Sequence, residues 1–131
     1  MILDEKTYVD KAEKVILKLS KKKDRNDNPI WITTSKIRNL LAMTADIYNE
    51  ILPLEEILTE ELTARIDYLR VRFIYECGRD TGRDKVVKDF VETAEIIEIL
   101  KEVKNSRARF ILFMHYMEAL VAYHKFYGGK D

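Results

Sequence analysis

Thr33-Thr34-Ser35-Lys36-Ile37-Arg38 gathers three hydroxyls and two cations at a point where a helix begins. Backbone N–H groups left free in a first helical turn, joined by hydroxyls and cations, are suited to holding a phosphate. Cations are mildly unfavourable at the positive end of a helix dipole, so Lys36 and Arg38 are not there to support the helix. The plainer alternative is a capped helix carrying two solvated charges. A second arrangement lies downstream, where Arg65, Arg72 and Arg79 recur every seven residues with Tyr68 and Tyr75 between them. Seven residues are nearly two helical turns, so the guanidinium groups form a stripe at intervals of about 10 Å. Guanidinium groups grip phosphate in bidentate fashion and stack on bases, and interleaved aromatics suit a nucleic-acid strand. The alternative is a solvated face tied to Asp67, Glu76 and Asp80.

Catalytic constellations are sparse. The two histidines, His115 and His124, fall in one segment, and no nucleophile stands in a pattern that supplies it with a base. His115 and Glu118 are one turn apart, the spacing of a metal chelate, but carboxylate-bridged bundles need a second such pair and further glutamates. No phosphate-binding glycine loop and no dinucleotide fingerprint occurs. Cys77, the single cysteine, reads as a packed thiol and excludes an internal disulfide or a cysteine metal cluster. The sequence therefore predicts no catalytic residues, no metal, no cofactor and no enzymatic activity.

Composition bounds the architecture. The 131 residues suit one domain, 1–131, with a real core. Four glycines and two prolines favour long helices with short connections. Lys plus Arg balances Asp plus Glu at 23 each, so only patches can speak for partners. Ala42 to Glu61 holds no Lys or Arg, whereas Lys21 to Arg38 holds six cations and two acids. Met1 leads directly into charged sequence, with no signal-peptide pattern and no membrane span, which points to a cytoplasmic protein.

Periodicity predicts an all-α fold, a single compact bundle of about five helices. They run from about Asp4 to Leu19, Ser35 to Leu52, Thr59 to Gly78, Arg83 to Lys104, and Ser106 to about residue 127. Thr33 or Thr34 caps the second. A basic loop at about 20–32 is expected to be mobile. The last helix and the C-terminal half of the fourth are apolar on nearly every face. One bundle of this size covers two such helices with difficulty, so part of that surface is expected to face another protein.

Four segments carry a resemblance that spans essentially the whole chain. They are Lys6–Lys14, Thr33-Thr34-Ser35-Lys36-Ile37-Arg38-Asn39-Leu40-Leu41, Tyr68–Tyr75, and Tyr116–Tyr123 with the ending Phe126-Tyr127-Gly128-Gly129-Lys130-Asp131. Together they resemble the small subunit of the type III-A CRISPR effector, the Csm complex. The resemblance implies an all-helical subunit stacked head to tail in several copies, beside the backbone and large subunits of a ribonucleoprotein. Target RNA paired to the CRISPR RNA passes along that row. The chemistry of the effector belongs to the other subunits, and base pairing supplies the specificity, so this chain need only hold backbone and duplex shape. Lys36, Arg38, Arg65, Arg72 and Arg79 become the expected RNA contacts. The competing reading is a self-associating helical adaptor whose cations are satisfied by acids on neighbouring copies; an enzyme built on His115 and Glu118 is a distant third.

Overall fold

Apolar residues at helical spacing fold here into six helices, and the computed structural model describes residues 1–131. They are α1 (Tyr8–Ser20), α2 (Thr34–Ile51), α3 (Glu60–Arg79), α4 (Val86–Thr93), α5 (Ile96–Val103) and α6 (Arg107–Phe126). The fold is all-α; strand-like pairing is confined to two isolated bridges, Lys23 with Pro29 and Ile57 with Ser106. No helix is long and apolar enough to cross a membrane. Three helices start on hydroxyl caps: Thr33, Thr59 and Ser106 accept the backbone N–H of Lys36, Leu62 and Arg109 respectively, each at 3.2 Å. Such caps satisfy donors that the helix itself cannot, contributing about 1 kcal/mol each. Thr33, not Thr34, caps α2. Helix α1 begins at Tyr8 rather than Asp4, because residues 4–7 close a turn through Tyr8 N–H to the Asp4 carbonyl at 2.9 Å.

The broadly apolar α6 runs through the middle and packs on α1, α2 and α5. Its Phe110, Phe113, Tyr116, Met117 and Leu120 are fully buried, and Phe113 meets Phe73 of α3 edge to face at 6.3 Å. All six helices contribute to one hydrophobic cluster, so none lies outside the core.

The segment expected as one helix from Arg83 to Lys104 is two. The break falls at Ala94–Glu95, away from Gly78 and Gly82: Glu95 takes a left-handed conformation with φ 58°. Two long-range contacts stabilise it. The Tyr116 hydroxyl donates to the freed Ala94 carbonyl at 3.0 Å, and Glu95 pairs with Lys11 of α1 at 2.7 Å. Burial pushes the Tyr116 hydroxyl well up, so it remains a proton donor. The break lets α4 pack on α1 and α3 while α5 packs on α3 and α6.

That geometry corrects the expected apolar surplus. Helix α5 buries Ile96, Ile99, Leu100 and Val103, and α6 is covered as well. Most of the exposed large apolar side chains lie instead on α3 (Tyr68, Val71, Ile74 and Tyr75) and on the α2–α3 connection (Leu52, Leu54 and Ile57), with Val9 and Leu17 on α1, Met1, and Phe126 at the end of α6 besides. The basic loop is likewise a bonded turn. Ile30 N–H donates to the Lys22 carbonyl at 2.7 Å, and the Asp24 carboxylate accepts the N–H groups of Asn26 at 2.8 Å and Asn28 at 3.1 Å.

Candidate nucleic-acid interface

Helices α2 and α3 are joined by a short connection and pack against each other, and their ion pairs fix their relative direction. Lys36, near the start of α2, reaches Asp80 just after α3 at 3.6 Å; Glu50, near the end of α2, pairs with Arg65 near the start of α3. The helices are therefore antiparallel. An open groove follows their shared polar edge, and its ends are 14 residues apart on α2, or about 20 Å. One half is a cavity of about 400 Å³ bordered by Ser35, Lys36, Asn39, Glu76, Arg79 and Asp80. The other half, about 470 Å³, is bordered by Asn39, Met43, Asp46, Arg65, Tyr68 and Arg72. Asn39 borders both, so the two cavities adjoin along this edge.

Four of the five expected cations thus meet along one groove: Lys36, Arg65, Arg72 and Arg79. Arg38 is exposed outside it, and its charge acts on Asp131. Three of the four groove cations are engaged with acids. Besides the two pairs above, Arg79 lies 3.6 Å from Glu76. Arg72 has no such partner within salt-bridge distance and is exposed. Lys36, Arg65 and Arg79 are each more than 40% exposed and open to another anion; of their acids only Glu50 is exposed as well, so the surface-pair limit of about 1 kcal/mol applies to Arg65–Glu50. Tyr68 stands at the groove edge and Tyr75 nearly two turns further on, both 61% exposed.

Asp80, which the sequence offers only as a surface acid beside the arginine stripe, is the organising residue. It is 8% exposed, and its carboxylate accepts the N–H of Val87 at 3.0 Å and of Gly82 at 3.3 Å. Lys85 precedes α4 in a left-handed conformation and offers no side-chain cap, so Asp80 caps that helix from a distance. Its Val87 hydrogen bond above all, with the Gly82 bond and the Lys36 charge, holds the carboxyl below the usual range. A capping-type acid ahead of Gly82 and an apolar run was the available signal.

The start of α2 differs from expectation. Its N–H groups are not free for a phosphate. Besides the Thr33 cap, Ser35 donates both its N–H (2.9 Å) and its hydroxyl (2.6 Å) to Asp131 Oδ1, and Thr34 N–H donates to the Lys130 carbonyl at 3.0 Å. The Ser35 hydroxyl, then its amide, hold the Asp131 carboxyl below its ordinary range. Residues 128–131 reach this corner by reversing over the end of α6. Gly128 has φ 101°, and Gly129 N–H donates to the His124 carbonyl at 2.7 Å.

The residues weighed for metal or thiol chemistry lie elsewhere. His115 sits between the rings of Tyr8 and Tyr48, with centroids 6.4 and 6.3 Å away, and Glu118 is exposed. His124 is fully buried beside Trp31, its Nε2 2.7 Å from the Ile32 carbonyl. Burial keeps His124 below the ordinary histidine range. Cys77 is partly buried, and burial pushes its thiol up.

A protein-family model described as Csm2 Type III-A matches residues 6–130. A Streptococcus thermophilus protein named CRISPR system Cms protein Csm2 is 46% identical over 130 residues, covering 99% of this chain and 98% of that one. A protein of the same name from Mycobacterium tuberculosis (strain CDC 1551 / Oshkosh) is 40% identical over 125 residues, 95% of this chain and 94% of its own. One from Enterococcus italicus is 36% identical over 103 residues, 76% and 71%.

Proposed function

This chain belongs to the type III-A Csm2 family, and from that premise we propose that it is the non-catalytic small subunit of a CRISPR ribonucleoprotein, holding the backbone of target RNA paired to CRISPR RNA in antiviral defence. The observation that carries the RNA reading is the α2–α3 groove. Two segments distant in sequence bring Lys36, Arg65, Arg72 and Arg79 to the border of one open channel, with Tyr68 and Asn39 among them. Cations spaced along an edge suit a strand whose sequence is read by pairing, because phosphates position and do not specify. The ion pairs are compatible with this use: a phosphodiester can replace Glu50 at Arg65, where both ends are exposed, and the shielded Asp80 keeps its Val87 and Gly82 N–H donors when Lys36 turns to a phosphate. In this reading several copies stack in a row beside the backbone and large subunits, in the cytoplasm. The exposed apolar residues of the α2–α3 connection and of α3 supply contact surface.

The pairing of three groove cations with acids favours a second reading, a self-associating adaptor that touches no RNA. Lys36→Ala with Arg38→Ala separates the two. Arg38 makes no ion pair, and Asp80, the partner of Lys36, keeps the Val87 and Gly82 N–H donors, so the melting temperature by circular dichroism should change little. Target-RNA binding by the assembled complex should weaken by about tenfold at fixed salt, with a shallower salt dependence. Unchanged affinity and salt dependence would favour the adaptor.

A further inference from the structure

We propose that residues Gly128–Asp131 form a strap that competes with phosphate at the start of α2 and, when closed, withholds the Lys36/Arg38 corner from RNA. The inference rests on the RNA-binding reading and names a regulation of that site. Its first support is direct occupancy. The donors a phosphate oxygen would use, Ser35 N–H and hydroxyl and Thr34 N–H, are taken by Asp131 Oδ1 and the Lys130 carbonyl. Asp131 brings an anion to the same place, close enough to Arg38 to feel its charge.

The second support is what closure leaves unsatisfied. His124 Nδ1 and Thr34 Oγ1 are both shut away from water with no hydrogen-bond partner. Both adjoin the strap: Thr34 bonds Lys130 through its backbone, and a Cβ built on Gly129 would collide with the His124 ring at Nδ1. Buried polar atoms without partners oppose the state that buries them. Lifting the strap lets water reach these atoms; Lys130 and Asp131 are already exposed, and the packing given up is that of the buried Gly129 against His124. Closure is held by the hydrogen bonds of Ser35 and Thr34 to Asp131 and Lys130 and by the Gly129 N–H bond to the His124 carbonyl. A nucleic-acid strand offers the same donors a similar anion, with neighbouring phosphates for the groove. Gly129 is the residue that permits closure, since any side chain there meets His124.

The test uses the full chain and the assembled complex. Asp131→Ala removes the competing carboxylate, and Gly129→Val prevents seating by a different route. Inorganic phosphate is titrated into each free chain while the Ser35 and Thr34 amides are followed by NMR. Both variants should respond at phosphate concentrations about tenfold lower than the unaltered chain, the effect of removing a closed state that dominates by that ratio. Complexes carrying Asp131→Ala should bind target RNA correspondingly tighter. Ser35 and Thr34 amides that respond no more readily in Asp131→Ala than in the unaltered chain overturn the strap. An enhanced phosphate response with unchanged or weakened RNA affinity overturns its regulatory role. Should Lys36→Ala with Arg38→Ala leave RNA binding untouched, the RNA reading fails on its own account, and the phosphate titration still decides whether the strap competes.

Discussion

Reversing Arg65, Arg72 and Arg79 to Glu abolishes target-RNA binding by the assembled complex at physiological salt. Three cations on one helix edge are lost and three anions take their place, with Asn39 and Lys36 unable to compensate across the groove. Losing three charged contacts at about 1 kcal/mol each already weakens binding by roughly a hundredfold. Repulsion by the introduced carboxylates adds to it, and repetition along a row of copies multiplies it. The structural cost is smaller. Glu at 65 faces Glu50 and Glu at 79 faces Glu76, but positions 50, 65 and 79 are exposed enough for water to screen much of the repulsion. RNA binding at several salt concentrations, on complexes whose subunit content is verified, is the measurement. A triple variant that fails to enter the complex, while the complex that does form binds RNA normally, would make the stripe an assembly surface.

Asp80→Ala lowers the stability of the chain by about 2–4 kcal/mol, the range for deleting a charged acceptor and leaving a buried N–H unpaired. The Val87 N–H loses its partner, α4 loses the residue that caps it, and Lys36 loses its anchor on the far side of the groove. Thermal melting should show a drop of about 10 °C. Asp80→Asn, which keeps an acceptor without the charge, should fall between. The pH dependence carries a sign. The folded Asp80 carboxyl titrates below its unfolded value of about 3.9. Its contribution is therefore fully present above that value and is lost as pH falls through the lowered folded one. The gap between the melting curves of the unaltered chain and Asp80→Ala should hold from pH 7 to about pH 4 and narrow as pH falls further. A gap that stays constant with pH, or no gap at neutral pH, would contradict the capping role.

What could be read in the sequence was local. The hydroxyl caps at Thr33, Thr59 and Ser106 and the 3.6-residue spacing of the apolar positions are properties of a few consecutive residues, and they located α2, α3 and α6 within a residue or two. The break between α4 and α5 was not legible, because neither Ala94 nor Glu95 is a helix breaker. It is created by Tyr116 and Lys11, which meet that point only in the folded chain. The cations of the site were legible by type and spacing. Their convergence on one groove, and the acids that engage three of them, depend on the antiparallel packing of α2 and α3. Asp131 was the least accessible of all: its bond to Ser35 spans 96 positions, and no local pattern announces it.

The claim that the α2–α3 groove carries the RNA backbone is tested most directly by photo-crosslinking target RNA containing 4-thiouridine to the assembled complex, followed by mass spectrometry of this chain. Crosslinked peptides should contain Tyr68 or Tyr75 of α3, or residues near Lys36 and Asn39 of α2. Crosslinks confined to the α5 and α6 surfaces, or to neighbouring subunits with none on this chain, would contradict it.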